Sequence, residues 1–412
     1  MKSRSRSVRA LAVGEVPELT ESARAVFKTL ATSGPNTRPV MGELLSFSKP
    51  TMSAAVGELE AYGLVASHGI SKGASGRTAV TYGLGRQAGH VIGIDAGTTR
   101  VRAIAATLDG RILTEVEQPL DGRDAGGIGL GSRMIDEIAD SLQRGLPEAA
   151  GPVRAVTVAL PTIVSSAPGA ATRHEALMAV AKALPRRFHA PVLLENNVNC
   201  AALAERHVGA ARGRPFFIYL QVGVKIGLGI VMDGRLLRGV GGAAGEVGRL
   251  PFPWSAAEAP RYEGLEHYLG STEFVARCAR DWPESEGPAP TSPEEIFARA
   301  VSSPHARGCV DRHAADIGRL VAACVGILDP GFVVLGGGVG QNAMLVEGVR
   351  KTVAELTWAT EIAISELTSR GTVLGALQLA ADFSLASLLG EERHPAFVVS
   401  DPEDVAGGTH LR

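Results

Sequence analysis

Two stretches of this 412-residue chain repeat one plan. Residues 91–113 read VIGIDAGTTRVRAIAATLDGRIL, and residues 216–237 read FFIYLQVGVKIGLGIVMDGRLL. In each, an apolar run meets a glycine-bearing turn and a second apolar run follows. An Asp-Gly pair then closes the unit, Asp109-Gly110 in one and Asp233-Gly234 in the other. Short apolar runs bounded by turn residues read as strands, and Asp-Gly between them is a hairpin signal. The duplication constrains topology more than either copy alone. It asks for two related lobes, each with its own sheet, and therefore for an α/β fold.

Two strand–turn–strand units facing one another across a cleft are how the actin/hexokinase-like (ribonuclease H-like) fold holds nucleotide phosphates. A further glycine turn, VVLGGGVGQN at 333–342, leads a strand into a helix near 344–356, where Gly336 and Gly337 let a ligand approach the backbone. The duplicated body is expected over 90–384, with lobes of about 90–200 and 201–370 and a closing helix over about 371–384. Residues 385–412 then form a tail, expected to be poorly ordered.

The first ninety residues have a different texture. After a basic flexible tail over 1–19, residues 20–85 form a separate domain. Ala23, Val26, Phe27 and Leu30 recur at helical spacing, and Gly34-Pro35 ends that helix. A second short helix runs from about Val40 to Leu45. Ser48 then stands as N-cap of a third, Lys49 to about Tyr62, with Pro50 in its first turn. Two β-prone runs around the Gly/Ser-rich tip 69–77 read as a hairpin. Three helices and a hairpin are the pattern of a winged helix-turn-helix, for which duplex DNA is the expected partner. A small helical oligomerisation domain is the alternative.

Charge favours DNA. Residues 1–90 carry 11 Lys and Arg against 6 Glu, whereas the remainder carries 30 basic against 37 acidic residues. The third helix presents Pro50, Ser53, Ala54 and Gly57 outward, with Thr51 and Glu58 beside them, and no Arg, Asn or Gln to make bidentate base contacts. Ser48, Lys49, Thr51 and Ser53 suit phosphates, and Arg77 at the hairpin tip suits the minor groove.

The motifs together are similar to those of the ROK family of repressors and sugar kinases, and resemble its regulator branch. They are the DxGTT loop (Asp95–Thr99), ENNVNCAA (195–202), VGVKIG through DGRLLRG (222–239), GAAGEVG (242–248), GLE (264–266) and LGGG (335–338). In the kinases of that family the resemblance assigns catalysis to the Asp of ENDxN. Here Asn197 stands in its place, and a neutral amide accepts no proton. The phosphate loop GTGIG is replaced by Gly223-Val224-Lys225-Ile226-Gly227. Asp95, Gly97, Thr98, Lys225, Gly336 and Gly337 thus outline a degenerate nucleotide cleft. Lys225 either binds phosphate or pairs with Asp95 in place of the nucleotide's metal.

The resemblance further implies an effector shelf of Asn196, Asn197, Glu246, Arg249 and Glu266, unless these residues merely hold backbone. Arg249 replaces a zinc-ligating His, and no Cys lies between 249 and 266, so no zinc site is expected there and no cofactor at all. Cys200, Cys278, Cys309 and Cys324 read as buried free thiols, and His174 and His207 as lone histidines. No apolar run is long enough for a membrane span or a signal peptide, so no membrane association is expected. The chain reads as a cytoplasmic DNA-binding regulator with a non-catalytic body. A homodimer or higher homo-oligomer is expected, with a sugar or sugar derivative as the possible effector. An active sugar kinase with a regulatory head, and a pure scaffold, are the competing readings.

Overall fold

The computed structural model describes residues 16–72, 78–97, 100–120, 132–164, 184–185, 187–253, 257–391 and 397–399. Thr98, Arg77 and His174 lie outside them. The chain divides into two units, one holding residues 1–164, 171–195 and 376–412, the other 165–170 and 196–375. The N-terminal domain and the first lobe share a unit.

The first unit opens with α1 (Glu21–Ser33), α2 (Arg38–Leu45) and α3 (Lys49–Ala61). Thr20 caps α1 and Ser48 caps α3, each side chain accepting from the backbone N–H three residues on. Phe27, Leu30, Met41, Met52, Val56 and Leu59 close a small core. A three-stranded sheet completes the domain, ordered β1 (Asn36–Thr37), β3 (Thr78–Leu84), β2 (Val65–Lys72). Of the stretch expected to be a flexible tail, residues 16–19 are described, and Leu19 is buried.

Residues 85–90 do not behave as a linker. Gly85 donates its N–H to the Leu64 carbonyl at 2.8 Å, and Gln87 donates to the Gly63 carbonyl at 3.0 Å. The Arg154 guanidinium donates to the Gln87 carbonyl, and His90 N–H to the Pro152 carbonyl at 3.0 Å. Glycine is required where these segments meet: a Cβ on Gly85 would lie 2.3 Å from the Gly63 carbonyl oxygen, and one on Gly89 (φ +73°) 2.3 Å from that of Pro152.

The first lobe is a six-stranded sheet ordered β14-β8-β7-β4-β5-β6. These strands are β4 (His90–Ala96), β5 (Arg100–Thr107), β6 (Ile112–Pro119), β7 (Val153–Leu160), β8 (Val192–Asn196) and β14 (Phe397–Val399). Ile92, Ile94, Val156, Val158 and Val192 pack with Ile135, Ile138 and Leu142 of α4 (Ser132–Gly145). The edge strand β14 pairs antiparallel with β8, so the segment expected to be tail contributes to the sheet.

In the second unit the sheet runs β11-β10-β9-β12-β13. Its strands are β9 (Phe217–Val222), β10 (Ile226–Met232), β11 (Arg235–Leu236), β12 (Phe332–Gly336) and β13 (Glu361–Ile364). Its helices are α5 (Asn197–Val208), α6 (Gly264–Leu269), α7 (Ser271–Arg280), α8 (Pro293–Arg299), α9 (Pro304–Leu328), α10 (Gly337–Gly340) and α11 (Ala343–Leu356). In both units an antiparallel three-strand meander is extended from its first strand by a parallel strand, β4 with β7 and β9 with β12. The repeat seen in the sequence is therefore a repeat of topology, and the body is a mixed α/β structure.

α12 (Gly371–Leu389) runs five residues beyond the expected end of the closing helix. The stretch Thr368–Leu389 is long and apolar enough to cross a membrane by composition, but 56% of its most apolar window is buried, as a core helix requires.

Candidate functional site

At the N-terminal face, Lys49, Pro50, Thr51, Ser53 and Ala54 are all exposed, while Met52, Ala55, Val56 and Leu59 are inward. The Ser48 hydroxyl lies 2.8 Å from that of Thr51, so both expected phosphate contacts sit on one capped turn with its backbone amides. Glu58 is not part of this surface. Its carboxylate accepts from Thr20 N–H at 2.8 Å and from the Thr20 hydroxyl at 2.7 Å, which ties α3 to α1.

Asp95 stands one residue before the end of β4, half-buried and opposite Arg102 in the β4–β5 register. Burial pushes its carboxyl up to about 6, against the opposing pull of Arg102 and Arg100. Those two arginines are themselves drawn to Glu117, Arg102 through Nε at 2.9 Å and Arg100 through Nη1 at 3.0 Å. Gly97 follows in a tight turn, where a Cβ would lie 2.8 Å from the Arg100 carbonyl oxygen.

In the second unit, Gly223 donates to the Lys225 carbonyl at 3.2 Å and accepts from Ser271 N–H at 2.8 Å, while Val224 and Lys225 are exposed. Gly227 and Gly229 lie against α5. A Cβ on the first would meet Val198 Cγ2 at 2.7 Å, and one on the second Ala202 Cβ at 2.6 Å. Gly336 and Gly337 are also packing glycines. Added Cβ atoms would fall 2.2 Å from the Tyr219 hydroxyl and 2.5 Å from the Val222 carbonyl oxygen, Gly337 having φ +82°.

The ENNVN motif divides its labour. Asn196 is the N-cap of α5, its side-chain oxygen accepting from Val198 N–H at 2.8 Å and Asn199 N–H at 3.3 Å. That is the backbone-holding role set beside the sugar-binding one. Asn197 is the first residue of the helix and is half-buried.

Glu246, Arg249 and Glu266 do come together. Arg249 Nε lies 3.3 Å from Glu246 Oε2, and Glu266 Oε2 accepts from Ile226 N–H at 3.3 Å. Burial pushes the Glu246 carboxyl up, Arg249 draws it down, Glu266 pushes it up and Lys225 draws it down. Lys225 thus exerts its charge on this cluster, and Asp95 is served by arginines of its own sheet. α6, which carries Glu266, is fixed by the Tyr268 hydroxyl donating to Asp316 Oδ2 at 2.9 Å.

Where kinases of the family hold zinc, this chain uses packing. Arg261 donates to the Phe252 carbonyl at 3.1 Å, and the Phe252 and Tyr268 rings lie 4.6 Å apart. With Arg249 in the histidine position and no thiol between 249 and 266, these residues do not fit a zinc ion. One grouping escaped the sequence reading. Cys278, His305 and Cys309 lie together in the second unit, and the i, i+4 spacing of His305 and Cys309 was its only legible sign.

The ROK family profile matches residues 91–382, well over half of the chain. The chain belongs to the ROK family. Over 378 residues it is 23% identical to a xylose repressor of Caldicellulosiruptor bescii, covering 86% of this chain and 94% of that protein. Among solved structures it is similar to a ROK family transcriptional regulator described as a homolog of the E. coli MLC protein. The TM-score is 0.67 and the identity 20%, over 89% of this chain and 96% of the other. A ROK hexokinase from Thermus thermophilus matches with TM-score 0.57 and 30% identity, over 72% of this chain and 99% of its own.

Proposed function

We propose that this ROK protein is a sugar-responsive transcriptional repressor that binds duplex DNA through residues 20–85 and does not phosphorylate the sugar it senses. One observation carries the reading. The xylose repressor is matched over nearly its whole length together with 86% of this chain, whereas the hexokinase, matched over 99% of itself, accounts for only 72%. The 28% of this chain outside the hexokinase match is more than large enough to hold the three-helix domain and its hairpin.

In this account Lys49, Thr51, Ser53 and the α3 amides bind phosphates, with Ser48 holding the turn and Arg77 reaching the minor groove. The Glu246–Arg249–Glu266 cluster and Asn197 bind the hydroxyls of a monosaccharide or a derivative. The body dimerises, so that two domains read a symmetric site in the cytoplasm. Asn197 supports the absence of catalysis, because an amide cannot take a proton from the attacking hydroxyl.

The test is fluorescence anisotropy on duplex DNA from the region upstream of the protein's own gene. Affinity should fall by roughly 10³-fold or more between 50 and 200 mM salt, as for proteins that neutralise several phosphates. Lys49→Ala and Arg77→Ala should each weaken binding several-fold and flatten the salt dependence. Wild-type affinity in both variants would reject this surface.

A further inference from the structure

Three soft ligand atoms meet in the second unit, away from the loop at 249–266. Cys278 Sγ, a ring nitrogen of His305 and Cys309 Sγ all lie within 4.8 Å of one another. Cys278 is near the end of α7. His305 and Cys309 occupy one face of the first turns of α9, whose start is fixed by the Ser303 hydroxyl accepting from Ala306 N–H at 2.9 Å.

The Cys278 and Cys309 thiols are hydrogen-bonded to one another, and each of the three groups has a further protein neighbour. His305 Nε2 lies 3.2 Å from the Cys278 carbonyl oxygen, and donating there leaves Nδ1 with the lone pair that a metal needs. Arg312 Nη2 donates to Cys309 Sγ at 3.3 Å, an outer contact that favours the thiolate. Trp282 packs edge-on against the imidazole, with ring centroids 5.4 Å apart, and limits its rotation. The imidazole itself is half-exposed, while both thiols are buried.

We propose that Cys278, His305 and Cys309 bind a zinc ion that pins α7 to α9, with a solvent molecule completing the tetrahedron. Bonds of about 2.0–2.3 Å around zinc put ligand atoms about 3.5–3.8 Å apart, so small side-chain rotations suffice. Binding releases the two thiol protons to solvent and changes no oxidation state. Two thiolates and a neutral imidazole give a site with no net charge, in keeping with its burial. Because α7 follows directly on α6, the ion also steadies the helix that carries Glu266.

The test uses the full chain, reduced, stripped with a chelator and titrated with Co²⁺ and then Zn²⁺. One Co²⁺ per chain should produce thiolate-to-metal charge transfer in the near ultraviolet and the visible bands of a tetrahedral site, and one equivalent of Zn²⁺ should abolish both. Cys278→Ser and Cys309→Ser should lose the charge transfer, while Cys200→Ser and Cys324→Ser keep it. Should a core serine prevent folding, His305→Gln at a half-exposed position should still weaken Co²⁺ by at least ~10-fold. Folded wild-type protein without a charge-transfer band would overturn the proposal. So would a band that survives in Cys309→Ser, or a Cys278–Cys309 disulfide that forms in place of metal binding.

Discussion

The two copies of the repeat share their strand order and differ at their tips. In the first, β4 still carries Asp95 near its end, where Arg102 and Arg100 on the adjacent strand oppose the effect of its burial. In the second, the turn holds exposed Val224 and Lys225, and the lysine draws the Glu246 carboxyl down. The strands themselves differ in keeping with what lies on them. β5 carries Ala103, Ala105 and Ala106 where β10 carries Gly227 and Gly229, because Val198 and Ala202 of α5 lie against β10. Packing holds the strands to one plan, while exposed turn residues such as Val224 and Lys225 are free to vary.

The sharpest way to break this comparison is at Asp95. Its folded-state pKa of about 6 lies above the ordinary 3.8, so the native state keeps an extra proton between those values. Stability therefore falls as pH rises through that window. Asp95→Asn should remove the penalty, stabilising the protein by up to about 3 kcal/mol at pH 8 and hardly at all at pH 4. Denaturant unfolding at the two pH values measures it. Equal effects at both would mean that Asp95 is not held neutral by burial.

Gly229→Ala comes next in size. The added methyl would meet Ala202 Cβ and the Val198 carbonyl, so a loss of about 1–3 kcal/mol is expected in thermal or denaturant unfolding. An unchanged midpoint would contradict the close packing of α5 on β10. Smallest is Lys225→Ala, which should alter stability by less than about 0.5 kcal/mol. Since Lys225 draws the Glu246 carboxyl down, its removal should shift the Glu246 titration to higher pH, readable by NMR of the carboxyl carbon.

The elements with local signatures were legible in the sequence. The Asp-Gly hairpins marked the repeat, and Ser48 with Pro50 marked the start of α3. What escaped depends on contacts between distant segments. Gly85 and Gly89 drew no reading from the sequence and prove to be points of close approach to Gly63 and Pro152. For Asn196 the sequence offered both a sugar-binding and a backbone-holding role, and its side-chain oxygen accepts from the backbone of the helix that it begins. Cys278 joins His305 and Cys309 because α7 and α9 pack, and the i, i+4 spacing of the latter two gives no sign of Cys278.

The central claim is that the fold of a sugar kinase has been kept and its reaction lost. Sugar-dependent ADP formation, followed by a coupled assay over a panel of monosaccharides with ATP and Mg²⁺, tests it most directly. Wild type should stay at background with every sugar. Asn197→Asp should do so too, because restoring the carboxylate leaves Val224 and Lys225 in the phosphate turn. Turnover by the wild-type chain with any sugar of the panel would contradict the account.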